Sequence, residues 1–156
     1  MADAAVLIEA LAAASLTLAV AESCTAGLVA DSIARVPGAS RVFWGSFVTY
    51  SVDAKIKLLG VEADIIHRHG AVSRETALAM AEGALEKSGA GVAVSVTGLA
   101  GPEGDGSGQR VGTVWIGIAR RDVPAEAVCS VFAGDRSAIR KAAAAGAIAE
   151  LLKRVN

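Results

Sequence analysis

The stretch LTLAVAESCTAGLVA, residues 16–30, decides the fold class of this 156-residue chain. Its apolar part, Leu16 to Ala21, is typical of a short buried strand. A helical pattern follows from Thr25 to Arg35, and the Pro37–Gly38 pair ends it. A buried strand that leads directly into a helix is a building unit of layered α/β folds.

The same alternation of helices and strands extends in both directions from this stretch. Predicted helices cover residues 4–14, 25–35, 53–59, 62–68, 73–87 and, from Asp135 or Ser137, a last segment up to residue 152. Predicted strands cover residues 16–21, 43–51, 91–97, 111–119 and 126–132, with a turn over 122–124. Because two strands follow one another near the end, the sheet is expected to be mixed. We therefore predict an α/β fold, a single-domain layered sandwich over residues 1–156 with a mixed β-sheet flanked by helices.

Composition and charge narrow the class of protein. Hydrophobic residues make up 53% of the chain and the formal net charge is −1, which excludes a disordered chain. No apolar run reaches the ~18 residues that a membrane-spanning helix needs. The start carries Asp3 and Glu9 but no basic residue, so we expect no secretory signal and a cytoplasmic protein with Cys24 and Cys129 reduced. The net charge of −1 also argues against a nucleic-acid partner, because binding a phosphate backbone requires clustered basic residues.

The first candidate site is Ser23, at the junction between the strand and the helix of the opening stretch. A serine there can act as nucleophile, and the free N–H groups at the start of a helix can bind an anion or an oxyanion. The simpler alternative is that Ser23 or Thr25 only caps the helix. Cys24 is a rival nucleophile, because a helix N-terminus lowers a thiol pKa, although free cysteines are commonly buried packing residues.

A second candidate group is Tyr50 with Lys55 and Lys57. A lysine can serve as general base if burial or a nearby cation depresses its pKa. A tyrosine hydroxyl at a strand end can orient or relay a proton. The alternative is that both lysines are solvated on a short helix.

Two further segments carry groups suited to anions. Residues 97–108 form a glycine-rich loop after a buried strand, and glycine lets backbone N–H groups approach a phosphate or carboxylate. Arg136 and Arg140 begin the last helix, and an arginine fork suits the same ligands. A flexible loop and solvated arginines are the alternatives.

A metal site is not expected. His67 and His69 form a His-x-His pair, but no third ligand lies at a suitable spacing.

Six stretches, taken together, identify a family. They are AESCTAGLVA (21–30), VFWGSFVTYSVDAKIKLLGV (42–61), HGAVSRETALAMAEGAL (69–85), AVSVTGLAGPEG (93–104), VGTVWIGIA (111–119) and FAGDRSAIR (132–140). In this order, over nearly the whole chain, they resemble the CinA C-terminal domain family, also called the PncC-type nicotinamide-nucleotide amidases. We expect the stand-alone form, without the upstream nucleotide-binding domain of longer members.

This resemblance implies deamidation of nicotinamide mononucleotide to nicotinic acid mononucleotide and ammonia, without metal or cofactor. It implies Ser23 as nucleophile, with Lys55 and Tyr50 as the other catalytic residues. The substrate-binding residues that it implies are Thr25, Gly27, Thr97, Gly98, Ala100, Gly101 and Arg136. The expected partners are a small-molecule nucleotide and a second copy of the chain in a homodimer, with no nucleic acid and no membrane.

The sequence departs from the family pattern at three places. Ala26–Gly27 replaces Gly-Gly, Val52 replaces an asparagine, and Gln109–Arg110 replaces Lys-Pro. None of these changes removes a catalytic group. A second hypothesis is a non-catalytic nucleotide-binding or regulatory module of competence or damage response, but the retention of Ser23, Tyr50 and Lys55 favours the enzyme.

Overall fold

A five-stranded mixed sheet lies at the centre of the molecule in the computed structural model, which describes residues 2–155. Its strands are β1 (Leu18–Glu22), β2 (Phe43–Val48), β3 (Val92–Gly98), β4 (Thr113–Arg120) and β5 (Val123–Val131). They lie in the order β2-β1-β3-β4-β5. β1 pairs in parallel with β2 and β3, whereas the β3–β4 and β4–β5 pairs are antiparallel. The predicted α/β fold with a mixed sheet is confirmed. Met1 and Asn156, the ends of the predicted domain, lie outside the described residues.

Helices cover both faces of this sheet. They are α1 (Ala2–Ala13), α2 (Leu28–Ala34), α3 (Val52–Leu59), α4 (Ala63–His69), α5 (Arg74–Ser88) and α6 (Arg136–Val155). Helices α1, α2 and α6 pack on one face, where Leu18 and Val20 of β1 point. Helices α3, α4 and α5 cover the other face, where Ala19 and Ala21 point. The alternation of side chains along β1 therefore serves two apolar layers, which is why the whole strand is buried.

Glycines allow α5 to pack closely on its neighbours. A Cβ atom added to Gly83 of α5 would overlap the carbonyl oxygen of Leu59 in α3. A Cβ atom added to Gly117 of β4 would likewise overlap the carbonyl oxygen of Ala77 in α5. These contacts explain why glycine occupies both positions.

Several predicted boundaries are wrong, and three of them concern the strands of the sheet or the turn after Ser23. Helix α2 begins at Leu28 rather than Thr25, because residues 24–27 form a turn in which Ala26 and Gly27 have φ of +48° and +99°. Strand β2 ends at Val48, before Ser51. The turn between β4 and β5 precedes Val123, because Pro124 lies inside β5. A proline is tolerated there since β5 is an edge strand.

The topology brings two predicted segments to one edge of the sheet. Because β1 and β3 are parallel neighbours, their carboxyl ends lie side by side. Ser23 follows β1, and the glycine-rich loop follows β3. This is the edge where α/β sheets bind ligands.

None of the helices in residues 2–155 combines the length and apolar character of a membrane-spanning segment.

Candidate active site

A cavity of about 330 Å³ opens at the carboxyl ends of β1 and β3. The residues that line it are Ser23, Cys24, Tyr50, Val52, Lys55, Ala71, Val72, Thr97, Gly98, Leu99, Ala100, Asp105 and Arg136. The structure therefore brings Ser23, Tyr50, Lys55 and Arg136 together with the start of the glycine-rich loop. The predicted substrate-binding residues Thr25, Gly27 and Gly101 do not line the cavity.

Ser23 and Lys55 are in direct contact. Nζ of Lys55 donates hydrogen bonds to Oγ of Ser23 at 2.8 Å and to the carbonyl oxygen of Thr49 at 2.8 Å. Only 1% of Lys55 is exposed to solvent, and it forms no ion pair with any residue of the described chain. The amine is therefore buried without a carboxylate to stabilise its charge.

Burial changes the protonation of this amine. Removal from water lowers the pKa of Lys55 from 10.5 to about 8. At pH 7 roughly a tenth of such an amine is neutral, compared with well under 1% of an ordinary lysine. Lys55 can therefore accept a proton close to neutral pH.

The start of α3 points Lys55 into the protein. Oγ of Ser51 accepts a hydrogen bond from N–H of Ala54 at 3.1 Å and caps the helix. Lys57, two residues after Lys55, lies on the exposed side and pairs with Asp53 at 2.9 Å. The alternative that both lysines are solvated is wrong for Lys55 and correct for Lys57.

Cys24 is an inert neighbour of this pair. Its side chain is buried, and burial raises the pKa of its thiol to about 11. The thiol thus stays protonated at neutral pH, and the geometry gives no thiolate nucleophile here.

Glu22, which the sequence analysis missed, caps α2. Its buried carboxylate accepts hydrogen bonds from the N–H groups of Gly27, Val29 and Ala30 at 2.9–3.1 Å, and from Oγ of Ser46. The alternative that Ser23 or Thr25 caps this helix is wrong, because Glu22 occupies its N–H groups from the end of β1. It follows that the start of α2 is not free for a ligand. An acidic residue directly after the apolar run 16–21 was the signal for this role.

Arg140 holds the backbone of the turn that follows Ser23. Its Nε and Nη2 atoms donate to the carbonyl oxygens of Cys24 at 2.9 Å and Thr25 at 2.8 Å. The arginine fork predicted for an anion is thus bound to backbone. Oγ1 of Thr25 is buried and has no hydrogen-bond partner among the described residues.

Arg136 joins Tyr50 to the glycine-rich loop. It donates from Nη2 to the hydroxyl oxygen of Tyr50 at 2.7 Å and from Nη1 to the carbonyl oxygen of Gly101 at 2.6 Å. Tyr50 is 56% exposed, so this bridge lies at the cavity mouth. The predicted loop residue Thr97 instead donates its hydroxyl to the carbonyl oxygen of Ala71, at 2.7 Å.

No group of three or more His, Cys, Asp or Glu side chains within the described part of the chain could hold a metal ion.

Solved structures share this fold over its full extent. A CinA superfamily protein from Klebsiella pneumoniae superposes with a TM-score of 0.95 at 32% identity, covering 99% of this chain and 96% of its own. The competence/damage inducible protein CihA from Agrobacterium tumefaciens gives a TM-score of 0.93 at 38% identity, covering 99% of this chain and 94% of its own.

Longer relatives match at higher identity. A CinA-like protein from Akkermansia muciniphila is 49% identical over 142 residues, which is 91% of this chain and 34% of the relative. A CinA-like protein from Myxococcus xanthus is 46% identical over 151 residues, which is 97% of this chain and 36% of the relative. The chain thus spans about a third of the length of the curated relatives it matches. The family model of the CinA C-terminal domain matches residues 2–155. These likenesses confirm the resemblance seen in the motifs, and the chain belongs to the CinA C-terminal domain family.

Proposed function

We propose that this chain is an amidohydrolase that converts nicotinamide mononucleotide to nicotinic acid mononucleotide and ammonia. One observation carries the proposal. The buried amine of Lys55, with a pKa of about 8, lies 2.8 Å from the hydroxyl oxygen of Ser23 in the wall of a cavity. A serine hydroxyl is a weak nucleophile until an adjacent base takes its proton, and this pair supplies both groups.

The contacts of Lys55 suit the proton transfers of amide hydrolysis. The carbonyl oxygen of Thr49 takes one N–H of the neutral amine, which leaves the lone pair for the proton of Ser23. As that proton moves, Oγ of Ser23 bonds to the amide carbon and the carbonyl π pair moves to the oxygen. The intermediate then expels the amide nitrogen, which leaves as ammonia with the proton from Lys55. Water hydrolyses the acyl-enzyme by the same transfers.

The proposed substrate follows from the family resemblance, and the cavity is compatible with it. Its volume of about 330 Å³ lies at the small end of the ~300–1,000 Å³ range of ligand pockets. Arg136 provides a cation in its wall, next to the start of the glycine-rich loop. In this proposal these groups receive the 5′-phosphate, while the amide end faces Ser23.

Ammonia release from nicotinamide mononucleotide by the purified protein, in the presence of a chelator, tests the proposal. We expect turnover that the chelator leaves unchanged, with nicotinic acid mononucleotide as the second product. Ser23→Ala is the control and should release none above background. Calorimetric binding of the nucleotide without any turnover would instead support the non-catalytic binding module.

We also propose, from the resemblance, that the chain forms a homodimer. Trp44 and Val48 are exposed apolar residues on the edge strand β2, which is compatible with a covered surface. Sedimentation equilibrium would distinguish a dimer from a monomer.

A further inference from the structure

The turn after Ser23 is held by side chains from two sides. The carboxylate of Glu22 accepts from N–H groups at the end of this turn and in the first turn of α2. The guanidinium of Arg140, from α6, donates to the carbonyl oxygens of Cys24 and Thr25. The backbone that carries the nucleophile is thus fixed by one anion and one cation.

Two N–H groups of this turn have no acceptor among residues 2–155. N–H of Ser23 donates to the carbonyl oxygen of Val96, N–H of Ala26 to that of Ser23, and N–H of Gly27 to Glu22. The N–H groups of Cys24 and Thr25 donate to no other residue in the part of the chain that the structure describes. Oxyanion holes are commonly formed by free backbone N–H groups beside the nucleophile.

The contacts with Arg140 fix the position of one of these donors. Arg140 holds the carbonyl oxygens of Cys24 and Thr25, and so fixes the backbone of Cys24, whose N–H is one of the two donors. Thr25 is fully buried and does not line the cavity, so its N–H cannot reach a ligand there. Arg140 does not line the cavity, whereas Ser23 and Cys24 do.

We infer that Arg140 is a positioning residue, which holds the N–H of Cys24 toward the oxygen that becomes negative when Ser23 attacks a carbonyl carbon. The inference rests on the proposed function, because it assigns a part of the same acyl transfer. In that step Oγ of Ser23 bonds to the carbon, the π pair moves to oxygen, and the proton of Ser23 goes to Lys55. Cys24 N–H then donates to the new oxyanion, while Arg140 holds the carbonyl oxygen of the same residue.

Two different nitrogens of Arg140 make the contacts, which makes a lysine a poor replacement. An ammonium keeps the charge but is a single centre, so it cannot reproduce the planar fork that holds both carbonyls. Arg140→Lys therefore separates the geometry of the fork from its charge. Lys141→Met is the matched control, because Lys141 is the next residue on α6 and its side chain is exposed.

The test measures acylation of Ser23 by p-nitrophenyl acetate, with loss of p-nitrophenolate and gain of one acetyl group on the protein. This reaction needs the same oxyanion donors but no nucleotide, and Ser23→Ala gives the background rate. We expect Arg140→Lys to acylate about 10–100-fold more slowly, somewhat less than the loss of a donor itself. Deamidation kcat should fall equally, with KM within about threefold, and Lys141→Met should match wild type.

A second variant distinguishes a loss of positioning from a loss of folding. Arg140→Ala should lose acylation more fully and regain it in part with added methylguanidinium, at an unchanged circular dichroism spectrum. The inference is overturned if Arg140→Lys acylates at the wild-type rate, or if only its KM changes. It is also overturned if methylguanidinium does not rescue a folded Arg140→Ala, or if p-nitrophenyl acetate does not acylate Ser23 in the wild type. Arg140-dependent acylation without ammonia release would instead overturn only the proposed substrate.

Discussion

Lys55 and Lys57 lie two residues apart on one helix, in opposite environments. Lys55 is buried against Ser23, whereas Lys57 forms an exposed ion pair with Asp53. If Lys55 is the base, Lys55→Arg should lose at least ~10³-fold in kcat although it keeps the charge, since a guanidinium stays protonated in this range. Lys57→Ala should remain within about twofold of wild type. Steady-state kinetics on both variants at one pH makes the comparison, and an active Lys55→Arg enzyme would contradict the assignment.

The pH dependence of activity should report the same amine. A base acts in its deprotonated form, so kcat/KM should rise with pH and level off above an apparent pKa of about 8. The measurement is kcat/KM for nicotinamide mononucleotide from about pH 6 to about pH 10. A profile that is still rising at about pH 10, as an unperturbed lysine would give, contradicts it.

Stability should depend on pH through Lys55 as well. Between about pH 8 and pH 10.5 the unfolded chain binds more protons at this position than the folded chain, so the free energy of unfolding rises with pH. Relative to Lys55→Met, wild type should gain about 2 kcal/mol between about pH 7 and pH 10. Urea unfolding of both proteins at the two pH values measures this difference. If the free energy of unfolding changed equally with pH in the two proteins, burial would not shift the pKa of Lys55.

Substitutions at Ser23 and Cys24 should have unequal effects. Ser23→Ala removes the proposed nucleophile and should lower kcat by at least ~10³-fold. Cys24→Ala removes a protonated, buried thiol and should keep at least about a third of kcat. Single-turnover kinetics with each variant decides between them. A dead Cys24→Ala beside an active Ser23→Ala would contradict the serine mechanism.

At the scale of elements, the contact between α5 and α3 should reverse the usual effect of Gly→Ala on helix stability. Gly→Ala inside an exposed helix normally adds ~1 kcal/mol of stability. At Gly83 the new Cβ would meet the carbonyl oxygen of Leu59, which is backbone and cannot move cheaply. Gly83→Ala should therefore lose about 1–3 kcal/mol in urea unfolding.

Gly146 of α6 supplies the control for this prediction. A Cβ there would meet chiefly the ring end of Phe132, a side chain that can shift. Gly146→Ala should change the free energy of unfolding by less than about 1 kcal/mol. Equal losses in the two variants would mean that the backbone contact at Gly83 is not the cause.

Most elements could be predicted from the sequence because their signals are local. The apolar runs of β1 and β3 and the Ser73 cap of α5 depend on adjacent residues only. The start of α2 could not be predicted in this way, since its cap is Glu22, which belongs to the preceding strand. The turn predicted over 122–124 was wrong because proline is common in turns. An edge strand also tolerates proline, and Pro124 lies in such a strand.

At the scale of the whole molecule, the substrate should need its phosphate. If Arg136 and the glycine-rich loop bind that group, free nicotinamide loses a remote contact that contributes to catalysis as well as to binding. We expect its kcat/KM to be at least ~10²-fold below that of the mononucleotide, with a lower kcat. Arg136→Met should reduce this preference. Equal kcat/KM for the two compounds would contradict the assignment.

The candidate site could be predicted from the sequence only in part. Parallel pairing of β1 and β3 brings Ser23 and Thr97 to one edge, which follows from the order of elements. Asp105 and Val72 in the cavity wall carry no local signal, because the folding of a long loop and of the segment before α5 places them there. The burial of Lys55 is also a tertiary property, so the sequence alone left both lysines possible.

The hold of Arg140 on the turn after Ser23 has a consequence for biosynthesis. The two groups are more than one hundred residues apart in the chain, with separations of 116 and 115. At ~5–20 residues per second, a ribosome needs several seconds to make the segment between them. Throughout that time the nascent chain carries Ser23, and once residue 55 is made also Lys55, without the guanidinium that fixes the turn. A chain that terminates before α6 lacks both Arg136 and Arg140, so the complete set of contacts is acquired only when the last helix is made and docks.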